Sequence, residues 1–371
     1  MEEPMKTWQS EIPFISDNPI TEELFTESTI FFDIETTGFS PAHTHIYMIG
    51  CATRRGTITC ITQFFAEGPQ DEKPLLSAFF DLLSHYDTVI TFNGLGFDVP
   101  YLKGRCSHHG LAQQLDSFHH LDLFKQISPF KSILKLPNAK QKSVEAFLGI
   151  SRDDMYSGGD LINVYMEYVK HPSEEGASLL KLHNYEDITG MVKLLLALSY
   201  QKLFDGCFRI LSWETNAYEE YEGDSALELL LTLEPYYPLP KRFSFGYGSI
   251  YITGFQQRVK LKVKIYQGEL KYFYPNYKDY YYLPVEDMAI HKSVAFYVDK
   301  DYRTRAKAAT CYSKKTGCFL PQYQEIVTPY FKLEYHDKTT WFEMTEEFTN
   351  SPETQKAYAL HLLGYLQNPK G

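Results

Sequence analysis

Residues 28–38 read STIFFDIETTG. A run of β-branched and aromatic residues that closes on a glycine marks a strand stopped by a turn. Side chains alternate along a strand, so Phe31, Asp33 and Glu35 share one face. Two carboxylates at the end of an apolar strand are costly unless a cation pairs with them. This stretch therefore decides the fold and the chemistry together. Beyond it come the turn TTGFSP, a second strand (HIYMIGCAT), a tight turn at Arg55 and Gly56, and a third strand (TITCITQFF), which together predict an antiparallel meander. A helical pattern follows, with Leu75, Leu76, Phe79, Phe80, Leu82 and Leu83 on one side. A short buried strand at 88–92, a helix from about Phe97 and a strand near 120–123 come next. Hairpins first and alternation afterwards predict an α/β mixed sheet flanked by helices.

The strongest helix signal spans 173–204, opened by Ser173 as a cap. Pro235, Pro238 and Pro240 then interrupt the chain after a segment (225–233) that reads as a short helix. From Phe243 the pattern turns Tyr-, Phe- and Val-rich with glycine turns, which predicts a largely β second domain. It ends in a helix from Ser351 and Pro352 to about Gln367. The expected division is 25–205 for the first domain, 206–240 for a connector and 241–371 for the second, as suits 371 residues.

Charge is distributed unevenly. There are 36 Lys and Arg against 47 Asp and Glu, a formal net charge of −11. Up to Asp205 the balance is 16 to 27, and beyond it 20 to 20, so the second half carries no acidic surplus. Arg258, Lys260, Lys262 and Lys264 alternate with apolar residues and form a basic stripe on one strand face. Residues 291–315, with Arg303 and Arg305 among seven cations and two acids, form a second basic segment. Seven aromatics fall within residues 272–282, where stacking on unpaired bases competes with ordinary packing. These features expect phosphate contact and make the second domain a nucleic-acid-binding candidate. Six cysteines show no C-x-x-C pair, so reduced thiols are expected. The N-terminus lacks a secretory pattern, and the apolar run 191–204 carries Lys193 and Lys202 and is too short to span a bilayer. A soluble cytoplasmic protein follows as the expectation, with no membrane and no inferable protein partner.

Asp98 opens a helix, where the positive end of the dipole favours an acid. His183 and Asp187 stand four apart on the long helix and so share a face. Gly190 lies inside that helix, where glycine is unfavourable, which expects something to pass close by. In order, FDIETTG (32–38), FNGLGFDVPYL (92–102) and HNYEDI (183–188) resemble the three motifs of the DnaQ-like, DEDD-type exonuclease superfamily, which has a ribonuclease H-like fold. The stretch 29–204 is more narrowly similar to the YprB-like ribonuclease H-like proteins. The resemblance implies that Asp33, Glu35, Asp98 and Asp187 hold two Mg²⁺ or Mn²⁺ ions for 3′→5′ hydrolysis of a single strand of DNA or RNA. It also implies a general base on the last helix, either a Tyr four residues before the final Asp or a His five before it. Here His183 stands four before Asp187, at the Tyr spacing, and is the expected base, with Tyr185 a weaker alternative. Asn93 is a candidate sugar or phosphate contact, set against a plain Asn-Gly turn. Asp122 reads either as a supporting acid or as an exposed strand residue. An endonuclease of the ribonuclease H or resolvase kind, and an inactive nucleic-acid-binding protein, remain as alternatives.

Overall fold

The computed structural model describes residues 5–16, 18–156, 158–219 and 225–369. The chain divides into two compact units, one of residues 1–203 with 237–241, the other of residues 204–236 with 242–371.

In the first unit a six-stranded sheet is built from β1 (Lys6–Pro13), β2 (Thr29–Thr36), β3 (Ile46–Arg55), β4 (Ile58–Phe65), β5 (Thr88–Thr91) and β6 (His119–Asp122). Its order is β1-β4-β3-β2-β5-β6, with β5 parallel to β2 and to β6 and the other pairs antiparallel. The expected meander is β2 to β4. Central β2 has neighbours on both edges and helices on both faces, so its apolar residues are buried in both directions. Ile30, Phe32 and Ile34 face a cluster with Leu75, Leu76 and Phe79 of α2 (Glu72–Leu83) and with Tyr101 and Leu102 of α3 (Asp98–His109). Helix α4 (Leu123–Ile127) follows β6. Three more helices, α5 (Gln141–Leu148), α6 (Gly158–Lys170) and α7 (Glu174–Leu194), lead to the end of the unit. Helix α7 begins at Ser173, whose hydroxyl accepts from Gly176 N at 3.1 Å. It stops at Leu194, and a short 3₁₀ turn separates it from α8 (Leu198–Phe204), so the expected single helix is two.

The second unit holds a seven-stranded antiparallel sheet and a small three-stranded one. The large sheet contains β7 (Phe208–Glu219), β8 (Ser225–Pro235), β9 (Leu239–Tyr247), β10 (Ile250–Gln256), β11 (Arg258–Phe273), β12 (Tyr312–Gln322) and β13 (Thr340–Glu343). Residues 225–233, read from sequence as a short helix within a connector, are strand β8. Its leucines and glutamates favour a helix intrinsically. Pairing with β7 on one edge and β11 on the other, with Leu229, Leu231 and Leu233 fully buried, overrides that preference. The final helix runs Pro352–Gln367, capped by Ser351 as its sequence expects. All six cysteines are free. No helix among the described residues is long and apolar enough to cross a membrane.

Candidate active site

The site lies on the face of β2 that carries Asp33 and Glu35, opposite Gly50 and Met48 of β3. Helix α7 crosses this face and is seated by Asn184. The Asn184 amide donates to Asp33 Oδ2 at 3.5 Å, and its oxygen accepts from Gln63 Nε2 at 3.0 Å. A Cβ on Gly50 would stand 2.1 Å from that oxygen, so only glycine admits α7 at this depth. Asp98 enters from the first turn of α3, 4% exposed, and its Oδ1 accepts from the Ile34 amide at 3.2 Å. This bond ties the second motif to the first.

Asp122 holds the loop that delivers Asp98. It is 2% exposed, and its carboxylate accepts from Asn93 N (2.9 Å), Leu95 N (3.1 Å) and Phe124 N (3.0 Å). It is thus a buried loop anchor and helix cap, not an exposed strand residue. Asn93 sits at φ +64 in the turn, with its carbonyl accepting from Gly96 N and Phe97 N, which is the plain Asn-Gly turn geometry.

His183 and Asp187 do share a face of α7. His183 Nε2 is 3.2 Å from Asp187 Oδ2 and 3.7 Å from Glu35 Oε1, whereas Nδ1 meets Asp154 Oδ2 at 2.7 Å. One ligand atom each from Glu35, His183 and Asp187 lies within 4.8 Å of the others. Imidazole, not Tyr185, is the group set against the acids.

The electrostatics mark these carboxylates as mutually strained. Burial, then the charges of Asp98, Glu35 and Asp187, hold Asp33 well above the usual carboxylate range. Glu35 is raised in the same way by burial and by Asp187 and Asp98. Burial pushes Asp98 up to about 7, against the opposing hydrogen bond from Ile34. Like charges gathered out of water disfavour ionisation, and a hard divalent cation relieves that cost. An all-oxygen carboxylate set fits Mg²⁺ or Mn²⁺ on the same grounds.

Sequence reasoning missed the segment before α6. Arg152 Nη2 reaches Asp187 Oδ1 at 2.6 Å and Glu145 Oε1 at 2.7 Å, and its Nε meets Glu145 Oε2 at 2.5 Å. The amides of Asp153 and Asp154 donate to the two oxygens of Glu186 at 2.8 and 2.9 Å. Three consecutive residues therefore read three positions of α7. Asp187 is not turned away from the cluster by this. Oδ1 serves Arg152 while Oδ2 stays beside His183. Gly190 explains itself here too, because a Cβ there would stand 2.1 Å from Glu145 Oε1.

In the second unit, β11 alternates as expected, with Val259, Leu261, Val263 and Ile265 buried and the basic stripe on the other face. Lys262 is paired with Glu228 at 2.7 Å. Arg303 and Arg305 both stack on Tyr281, at 4.9 and 4.5 Å from the ring centroid.

Residues 30–199 match the family model described as the RNase_H superfamily. A curated DNA polymerase of Methanocaldococcus jannaschii is 28% identical over 116 residues, which are 29% of this chain and 7% of that protein. Among solved structures, the family B DNA polymerase of Pyrobaculum calidifontis aligns at TM-score 0.39 and 17% identity, over 48% of this chain and 25% of its own. Exonuclease I of E. coli in complex with a dT13 oligonucleotide aligns at TM-score 0.29 and 10% identity, over 56% and 55%. The chain thus spans under a tenth of the curated relative and a quarter to about half of these structures. With the mixed sheet, its flanking helices and the family match in agreement, residues 30–199 have a ribonuclease H-like fold.

Proposed function

We propose that this protein is a metal-dependent nuclease that removes nucleotides from the 3′ end of single-stranded nucleic acid. The observation that carries the reading is the convergence of acids from three separate segments, where burial and the charges of their neighbours, Asp187 among them, raise Asp33, Glu35 and Asp98. Asp33, Glu35, Asp98 and Asp187 would hold two divalent cations. When bound, such cations stabilise the attacking and leaving oxygens of a phosphodiester displacement and acidify the attacking water.

His183 is the proposed general base. Its Nδ1–H donates to Asp154 Oδ2, which fixes the ring and leaves Nε2 as the atom that takes the proton from water. Asn184 and Gly50 set the depth of α7 and hence the distance of Nε2 from Glu35. Asn93, exposed in the turn of the second motif, is the proposed sugar or phosphate contact.

The second unit is proposed to hold the strand through Arg258, Lys260, Lys262 and Lys264 of β11 and through Arg303 and Arg305. Glu228 already offsets part of the Lys262 charge. Phe296 and Tyr297 are 76% and 86% exposed beside the second basic segment, as suits stacking on unpaired bases.

The test is digestion of 3′- and 5′-labelled DNA and RNA oligonucleotides by purified protein with Mn²⁺. Shortening from 3′ ends supports the reading, and the preferred sugar identifies the substrate. Discrete internal cuts would assign an endonuclease instead. Absence of any cleavage together with oligonucleotide binding would assign an inactive binding protein.

A further inference from the structure

Arg152 occupies a position that the four-acid reading does not require. Its side chain is 9% exposed and its partners are Glu145, 1% exposed, and Asp187, 17% exposed. The guanidinium is a planar fork with five N–H donors in fixed directions. Nε and Nη2 form the edge that grips Glu145, so Nη2 turns its other proton to Asp187 across the far edge. That far edge also carries one proton of Nη1, which is buried without a hydrogen-bond partner. An orphaned buried donor of a charged group is costly and invites an acceptor. Its direction is that of the Asp187 bond, towards the acidic cluster.

Resting on the nuclease reading above, we propose that Arg152 is a positioning residue that gates the second cation. In the free protein its guanidinium holds Asp187 Oδ1, so Asp187 offers one oxygen to the site and one divalent cation binds tightly. A substrate phosphate oxygen is the acceptor that matches the free Nη1–H, since guanidinium and phosphate pair by charge-assisted hydrogen bonds. Drawn towards that phosphate through Nη1–H while it pivots on Glu145, the guanidinium would loosen its Nη2 bond to Oδ1 and leave that oxygen available to hold a second cation. The cluster is thereby completed only when a strand is in place. The fixed end of the device is Glu145, held by Gln141 Nε2 at 2.9 Å and packed on Gly190.

The test is Mn²⁺ binding to the full chain by equilibrium dialysis and electron paramagnetic resonance, without nucleic acid. The native protein should bind one Mn²⁺ with a second weaker by roughly tenfold or more, the scale on which one neighbouring charge moves an equilibrium. Arg152→Gln should bring the second site to within about threefold of the first, a residue of well under one charge contact. Adding a phosphorothioate oligonucleotide should do the same to the native protein. Because Arg152→Gln strands Glu145 as a buried charge, the double variant Arg152→Gln with Glu145→Gln keeps the network neutral and carries the comparison if the single one fails to fold. Glu145→Gln alone leaves the arginine on Asp187 and should leave the second site weak. Two equal Mn²⁺ sites in the native protein, or a weak second site in the double variant, overturn the gate. No Mn²⁺ binding by any form overturns the nuclease reading itself.

Discussion

At the scale of single residues, the chemistry rests on how much ionisation the cluster suppresses. Burial holds the Asp98 carboxyl at about 7, above the ordinary aspartate value of 3.8. Between those values the folded protein holds a proton that the unfolded chain has lost. Stability of the metal-free protein is therefore greatest below pH 4 as far as this group is concerned, and falls as pH rises through 7. Asp33 and Glu35 act in the same direction. Urea denaturation of chelator-treated protein from pH 5 to 8 should show the decline, and Asp98→Asn should make it shallower while keeping the bond to Ile34. A metal-free protein equally stable at both ends of that range would contradict the account. Asp33, Glu35, Asp98 and Asp187 were legible at this scale because each stands in a short motif. Arg152 and Asp154 were not. They lie in an irregular stretch whose meaning depends on α7, some 30 residues later, and nothing local announces that contact.

At the scale of elements, the fit of α7 on the sheet governs whether the acids meet. Gly50 is one of the residues that set that fit. Gly50→Ala would push a methyl into Asn184 Oδ1 at 2.1 Å and Ile188 Cγ1 at 2.7 Å. Overpacking of this kind costs about 1–3 kcal/mol. Here it should lower the melting temperature and, by lifting His183 and Asp187 from Glu35, reduce turnover in the same variant. Loss of stability with unchanged turnover would show that α7 depth does not govern the site. The strands of the meander and the capped ends of α7 and the last helix were legible because alternation and caps are local signals. Residues 225–233 were misread for the opposite reason. Their composition is helical, and only pairing with two partner strands, one beginning 25 residues later, makes them β8. Strand β1 and helices α5 and α6 carry no sharp motif and emerge only from packing.

At the scale of the whole molecule, the two units carry different kinds of argument. The first is a ribonuclease H-like domain whose acids, histidine and supporting amides have stated partners. For the second, the account relies on charge and exposed rings. The basic stripe was readable from its alternation, but its partial pairing, as of Lys262 with Glu228, was not. Replacing Phe296 and Tyr297 together by Ala should weaken binding of a single-stranded oligonucleotide by about 1–3 kcal/mol per lost stacking contact, and leave the melting temperature unchanged. Fluorescence anisotropy in calcium, with an abasic strand as control, reads this directly. Equal weakening of the abasic strand would argue that the rings do not stack on bases.

The central claim is that acids from three distant segments cage divalent cations. Anomalous scattering from a crystal soaked in Mn²⁺ with a phosphorothioate oligonucleotide tests it most directly. The account predicts peaks bounded by Asp33, Glu35, Asp98 and Asp187. Saturating Mn²⁺ that leaves this cluster without a peak would contradict it.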